Sequence, residues 1–472
     1  MNDDQLNYLN SILSENDYQP VVIRGVQGSG KTTLAATFAR RFAQTLAFSL
    51  SENADRRALS NIRTGIMQYS DLYVYRNRDP RGGRTLLFVD DIHRDPETWE
   101  SLLLLPGRPA DLFLLGAADS VSSRQSAVGS QKSQIPNPKS QIPNPKSEIP
   151  IRPSSFESFL SFTGETEALA SYRETPCPDF AHARLLSLFH RYIQVGGMPE
   201  AMNAWQEHRN MLMVEKAFDR ILSGWERLIR QEVRGGKSAG LAASLFVDAF
   251  PYASARISFH GFANNTVRSR EASNAFRRLE ELMLLQLVHP VTGTGTHQLP
   301  DTGRSPRLQF ADTGMVVHLS GIRHQVSETP DLTGFAGGQV IRHVVGQELV
   351  TKDEGRRTRD EGRIGISDFG LRNGFWVSKK LQSHAEVDYV IPYGDLLIPV
   401  VVRSGEPGRL RSLHSFLNNA PHPFAVRLCA ERLSVRRSET VSGKPFYLLS
   451  LPYYLAGRIS EHLDGFIKYV SL

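Results

Sequence analysis

The chain has 472 residues, 40% hydrophobic and 22% charged, which excludes a disordered or collagen-like protein and leaves enough apolar material for substantial cores. At roughly 100 to 200 residues per domain, this length allows about two to four domains. Lys plus Arg (55) exceed Asp plus Glu (49) by 6, so nucleic acid is permitted as a partner without being demanded.

In chain order, Met1 to Glu15 lacks the basic start and apolar stretch of a signal peptide. No later apolar run approaches the roughly 18 residues that span a bilayer. Cys177 and Cys429 belong to no CxxC or Cys/His cluster, so neither zinc nor a disulfide framework is indicated, and a cytoplasmic location is expected. Val21 to Ile23, a glycine loop, a helical stretch from Thr32 to Ala43, then Leu86 to Val89 and Leu112 to Leu115 predict a parallel α/β sheet. KSQIPNP at Lys132 repeats at Lys139, and its prolines exclude a helix, so 130–150 reads as an extended, polyproline-like insert. From Ala201 to Pro290 the spacing of apolar residues, as in Phe276, Leu279, Leu282 and Met283, is helical. DEGR at Asp353 recurs at Asp360 among scattered glycines, which reads 352–373 as a charged loop and a second insert. Strand-like runs at Val387 to Ile391, Leu396 to Val402 and Phe446 to Leu449, with a helical Leu410 to Leu417, predict a mixed α/β end.

The most specific motif is the run from Gly25 to Thr32, which satisfies GxxxxGK[ST] between a strand and a helix. Glycines let backbone N–H groups close around phosphates, Lys31 reaches the β- and γ-phosphates, and Thr32 offers a hydroxyl to Mg²⁺. The expected nucleotide contacts are therefore Gly25, Val26, Gln27, Gly28, Ser29, Gly30, Lys31, Thr32 and Thr33. ATP with Mg²⁺ is the expected ligand pair. Leu86 to Val89 ends in Asp90 and Asp91. Asp90 is expected to support the metal with Thr32, and Asp91 to act with Lys31 in catalysis. Asp91 stands where many such ATPases carry Glu, one methylene longer, so slow hydrolysis is expected. Asp119 and Ser120, after the Leu112 run, read either as phosphate-sensing or as turn residues. Gly196 to Glu200 reads as a turn closing the first domain, packed against the base or simply breaking a helix.

This order of motifs resembles a prokaryotic family of AAA-type ATPases carrying a C-terminal domain of unknown function that is itself similar to restriction endonucleases. Its further marks are Ile92-His93-Arg94, the Ser155 to Phe159 segment, GGMPEA at Gly196, Arg268 to Glu271, Gln309 to Gly314, Gly346 to Leu349 and Glu386 to Ile391. The resemblance implies a P-loop NTPase sheet domain over 1–205, a helical winged-helix-like domain over 206–325, and a restriction-endonuclease-like domain over 326–472. Restriction-type sites hold Mg²⁺ with an Asp on one strand and Glu-x-Lys on the next. Here Asp388 fits, but Val401 and Arg403 stand where Glu and Lys are expected, with Glu348 or Glu386 as further acids. Valine ligates no metal, so a nuclease is the least favoured reading.

Between Arg256 and Arg278 five arginines (Arg256, Arg268, Arg270, Arg277 and Arg278) face one acid, Glu271. Arg256, Arg268, Arg270 and Arg277 are thus candidate DNA contacts, with Asn264, Asn265 and Thr266 before the helix; a solvated face is the plainer alternative. The sequence therefore predicts a nucleotide-driven switch with slow ATP hydrolysis. A DNA-associated regulator with incidental or lost ATPase activity is the alternative.

Overall fold

The computed structural model describes residues 3–14, 20–63, 68–119, 147–264, 267–296, 298–360, 374–380, 383–404 and 410–471. The first part is built from α1 (Asp3–Ser14), β1 (Val21–Arg24), α2 (Lys31–Ala39), β2 (Gln44–Ser49), α3 (Asn53–Arg63), α4 (Tyr69–Tyr75), β3 (Thr85–Asp90), α5 (Pro96–Leu104), β4 (Leu112–Ala118) and β5 (Ser147–Pro150). The five strands form one sheet in the order β2-β3-β4-β1-β5, and every pairing is parallel. Strands covered on both faces need no polar alternation, which is why β3 and β4 read as unbroken apolar runs. The strand period of two sends Leu86, Phe88 and Phe113 toward Leu9, Leu34 and Phe38 on α1 and α2. Leu87, Val89 and Leu114 face Leu59, Leu72 and Trp99 on α3, α4 and α5.

Two strands here depart from the sequence expectation. The Gln44 run mixes polar with apolar residues because β2 is an edge strand, and it was not anticipated. Ser147–Pro150 falls within the 130–150 stretch expected as an insert, yet it pairs with β1 as β5 and is part of the sheet. The repeat itself, 130–146, lies outside the described residues.

The chain continues through α6 (Phe156–Thr163), α7 (Thr166–Arg173), α8 (His182–Val195), α9 (Pro199–His208), α10 (Met211–Glu232), α11 (Gly236–Asp248) and α12 (Ser269–Glu281). Helix α10 is long because Val214, Ala217, Phe218, Ile221, Trp225, Leu228 and Ile229 recur every three or four residues and bury one stripe. After α12 an antiparallel hairpin pairs β6 (Leu285–Val288) with β7 (Arg307–Phe310), followed by α13 (Thr313–Leu319), α14 (Arg323–Glu328) and α15 (Gln339–Asp360). The 352–373 segment, read as a loop, is helical in backbone as far as Asp360: no proline interrupts α15 there. Residues 361–373 lie outside the described residues.

The last part holds a small pair, β8 (Trp376–Val377) with β9 (Glu386–Val387), and a mixed sheet. That sheet combines β10 (Tyr389–Tyr393), β11 (Leu396–Val402), β12 (Phe424–Cys429), β13 (Ser434–Glu439) and β14 (Pro445–Pro452) in the order β10-β11-β12-β14-β13. Helices α16 (Arg411–Asn419) and α17 (Ile459–Ser471) flank it. One apolar cluster runs without interruption from Phe156 through Trp225, Phe276 and Val345 to Leu428 and Phe466, so the helical part and one face of this sheet share a core.

Candidate nucleotide site

The turn between β1 and α2 carries the phosphate motif. Gly28 (φ 85°) and Gly30 (φ 97°) adopt the left-handed conformation that a Cβ disfavours, and Gly30 caps α2 with its first N–H groups free of side-chain caps. That is the geometry in which a helix N-terminus receives phosphate. Ser29 Oγ is buried with no hydrogen-bond partner among the described residues. Thr32 and Thr33 are exposed on the first turn of α2. Lys31 is buried, and its ammonium donates to the carbonyls of Gly25 (2.9 Å) and Val26 (3.0 Å).

The acid strand reaches the same place. β3 lies one strand away from β1 in the sheet, with β4 between them, and Thr32 Oγ1 donates to Asp90 Oδ2 over 3.0 Å. Burial, then the neighbouring Asp91 carboxylate, raise the Asp90 pKa, while the Thr32 hydroxyl and the Asp91 N–H act in the opposite direction. A hydroxyl and a carboxylate oxygen converging in this way are hard donors that suit Mg²⁺, and a cation there would relieve the crowding of charge on Asp90. Asp91 follows in the left-handed region (φ 58°), which Asp tolerates better than most residues, and its carboxylate accepts weakly from Ser49 Oγ at 3.4 Å.

Asp119, buried at the end of β4, places its carboxylate 2.5 Å from Lys31 Nζ. Its backbone N–H donates to His93 Nδ1 at 3.2 Å. Burial holds the His93 imidazole below its usual pKa, against the nearby charges of Asp119, Glu232 and Asp91. Asp91, His93 and Asp119 bring their ligating atoms within 4.8 Å of one another. Of these three, the sequence singled out Asp91 for chemistry and left Asp119 open between two readings. Ser120 lies outside the described residues.

Residues 17–160 match the family model described as an AAA domain. With its parallel five-stranded sheet and phosphate loop, this part of the chain is an α/β P-loop domain. Residues 186–326 match a second model, a domain of unknown function (DUF8612). Among solved structures, a Walker-type ATPase of Pyrococcus abyssi aligns at 11% identity and a TM-score of 0.40, covering 68% of this chain and 95% of its own. PCH-2 of C. elegans aligns at 10% identity and a TM-score of 0.27, over 46% of this chain and 67% of its own. AMPPCP-bound DnaA of Aquifex aeolicus aligns at 13% identity and 0.25, over 58% and 86% respectively. Comparison with curated proteins finds no match. Among the described residues no helix is long and apolar enough to cross a membrane.

The helical part closes over the P-loop domain at its phosphate loop. Trp225 Nε1 on α10 donates to the Gln27 carbonyl at 2.9 Å. A Cβ added at Gly28 would meet Met198 Cε at 3.3 Å, and one at Gly30 would meet Pro199 Cγ at 3.4 Å. The Gly196 to Glu200 turn therefore packs against the phosphate loop. Beyond Asp91, Arg94 bonds Gln231 Oε1 (3.1 Å) and pairs with Glu232 (3.7 Å) at the end of α10. The anchor of the turn is Asp312, whose Oδ2 accepts from Gly197 N at 2.7 Å. None of these contacts had a signature in the sequence, because each joins residues far apart in the chain.

The nuclease-like acids are engaged elsewhere. Asp388 Oδ2 accepts from Val402 N at 2.8 Å, with Arg342 Nε 3.8 Å from Oδ1. Glu348 Oε1 accepts from Phe156 N and from Tyr192 Oη. Glu386 pairs with Arg307 (2.6 Å) and Arg256 (3.6 Å). Val401 is buried within β11. Arg403 follows it, with its backbone N–H bonded to Leu428 O.

The arginines expected at DNA divide into two sets. Arg268, Arg270 and Arg277 are exposed at the start and along the outer face of α12, where Arg278 pairs with Glu281. Arg256 lies apart from them: it is exposed, its guanidinium stands 3.6 Å from Glu386 and over the Phe375 ring, and its segment bridges to β7. Asn265 and Thr266 lie outside the described residues.

Proposed function

We propose that the chain binds ATP with Mg²⁺, hydrolyses it slowly, and uses nucleotide occupancy to set the position of its helical and C-terminal parts. The observation that carries this reading is the Thr32 Oγ1 to Asp90 Oδ2 hydrogen bond of 3.0 Å, which brings the phosphate loop and the acid strand to one point. Thr32 and Asp90 would hold the metal, which would neutralise charge on the β- and γ-phosphates. The loop from Gly25 to Thr33 would wrap the triphosphate, with the N–H groups at the start of α2 as donors, and Asp91 would orient the attacking water. The Asp91 side chain is one methylene short of the usual Glu, which supports slow turnover.

The switch part of the reading rests on α10. It touches the phosphate loop through Trp225 and, through Gln231 and Glu232, meets Arg94 in the turn that follows the acid strand, so a movement at either place bears on one helix. Domains over 1–205, 206–325 and 326–472 remain the division proposed, with the last a nuclease-like module whose acids serve packing. Isothermal titration with ATP and ADP, followed by phosphate release, tests the reading. Nucleotide binding lost in Lys31→Ala is expected; wild-type protein that binds no nucleotide would refute it.

A second reading, DNA association, is favoured by one observation: Arg270 and Arg277 stand seven residues apart on the same exposed face of α12, next to the β6–β7 hairpin, as in a winged helix. Binding through such phosphate contacts would weaken steeply with salt. Unchanged DNA affinity in an Arg270→Ala/Arg277→Ala double variant would remove this surface. Metal-dependent cleavage, the third reading, requires that Asp388→Ala abolish it; the bonds Asp388 makes to Val402 and Arg342 speak against it.

A further inference from the structure

An ammonium has three N–H donors. On Lys31 the Gly25 carbonyl, the Val26 carbonyl and the Asp119 carboxylate take one each. Two of these partners belong to the loop itself and are compatible with a bound phosphate. The third is an anion with an oxygen 2.5 Å from the nitrogen, which is where a phosphoryl oxygen would have to bond. Asp119 is held there from both sides. The Gly25 N–H donates to the Ala118 carbonyl at 3.2 Å, tying the end of β4 to the start of the loop, and the Asp119 N–H is fixed on His93. The carboxylate comes from the same sheet edge as Asp90, so it stands on the side of the metal and the terminal phosphate.

We propose that Asp119 is an intramolecular competitor for the γ-phosphate, and so a specificity-determining residue that lowers affinity for a nucleoside triphosphate more than for the diphosphate. This rests on the nucleotide-binding reading above. Like charge and a shared donor act together: a triphosphate must both displace the carboxylate from Lys31 and tolerate it nearby. A diphosphate asks Lys31 for a single donor, at the β-phosphate, which one loop carbonyl can yield, so the Lys31–Asp119 pair stays in place. ATP capture is thereby coupled to release of Asp119, and loss of the γ-phosphate permits the pair to re-form.

The test is titration of the full chain with ATP and with ADP in the presence of Mg²⁺, comparing wild type with Asp119→Asn. Asp119→Ser serves as a second variant, and melting curves without nucleotide establish that all three are folded. A charge-assisted hydrogen bond of this kind corresponds to about ten-fold or more in affinity. We expect ATP to tighten by about that factor and ADP by less than about three-fold. Equal changes for the two nucleotides, or no change, would overturn the proposal while leaving the nucleotide reading intact. Failure of wild type and both variants to bind either nucleotide would overturn both.

Discussion

Trp225 and Gln27, 198 residues apart, meet through a hydrogen bond from the indole N–H to the loop carbonyl at 2.9 Å. The indole is buried and packs edge-on against Phe246, so the contact ties the phosphate loop to the core of the helical part. Trp225→Phe keeps most of the ring and removes the donor. The expected cost is about 1 kcal/mol in denaturant unfolding. ATP binding is expected to persist, while the protease sensitivity of the helical part ceases to depend on nucleotide; limited proteolysis with and without ATP reads this directly.

Turnover is expected to be limited by the reach of Asp91. Asp91→Glu adds the missing methylene at a backbone position fixed beside the metal pair, and phosphate release should rise by about ten-fold. Unchanged or lower release would show that water is oriented by another group.

Thr32→Val removes the hydroxyl that meets Asp90 while keeping the shape of the side chain. ATP affinity measured with excess Mg²⁺ should fall by about ten-fold, to the level that wild type shows in EDTA. A variant that still responds to EDTA as wild type does would place the metal elsewhere.

The pH dependence of stability should carry the mark of His190. Burial pushes its pKa down to about 4, and its Nε2 lies 2.6 Å from Tyr453 Oη, which joins α8 to the turn after β14. An unfolded imidazole takes up its proton near pH 6.5, whereas the folded one does so only near 4. Protons therefore favour the unfolded chain through this interval, and the contribution is present above about pH 6.5 and lost as pH falls toward 4. Melting curves of wild type and His190→Gln across pH 4 to 7 should converge at the acid end, by about the pH at which the folded imidazole titrates.

The phosphate loop was legible because its chemistry is local: eight consecutive residues specify turn, charge and hydroxyl. Asp90 was legible because an apolar run ending in acid marks a buried strand. Asp119 was visible only as a residue with two possible roles, since its partner lies 88 positions earlier and the strand order that unites them is not written in either segment. β5 was hidden by its length of four residues and by the repeat before it, and β2 by the polar residues an edge strand admits. Gly196 to Pro199 announced a turn, but its contact with Gly28 and Gly30 depends on how α8 and α9 are docked. The arginines of α12 were found together, whereas the pairing of Arg256 with Glu386 joins residues far apart in the chain and leaves no trace in spacing.

Glu348 occupies the interior, with Tyr192 and the Phe156 amide as its partners, although it comes from a helix far later in the chain. A carboxylate there is tolerable only while residues from both halves surround it. Severing the polypeptide near 326 would strand that charge on one fragment and a slot of orphaned donors on the other. The two pieces are therefore expected to be less stable apart than joined, a loss that melting of the severed against the intact chain would read.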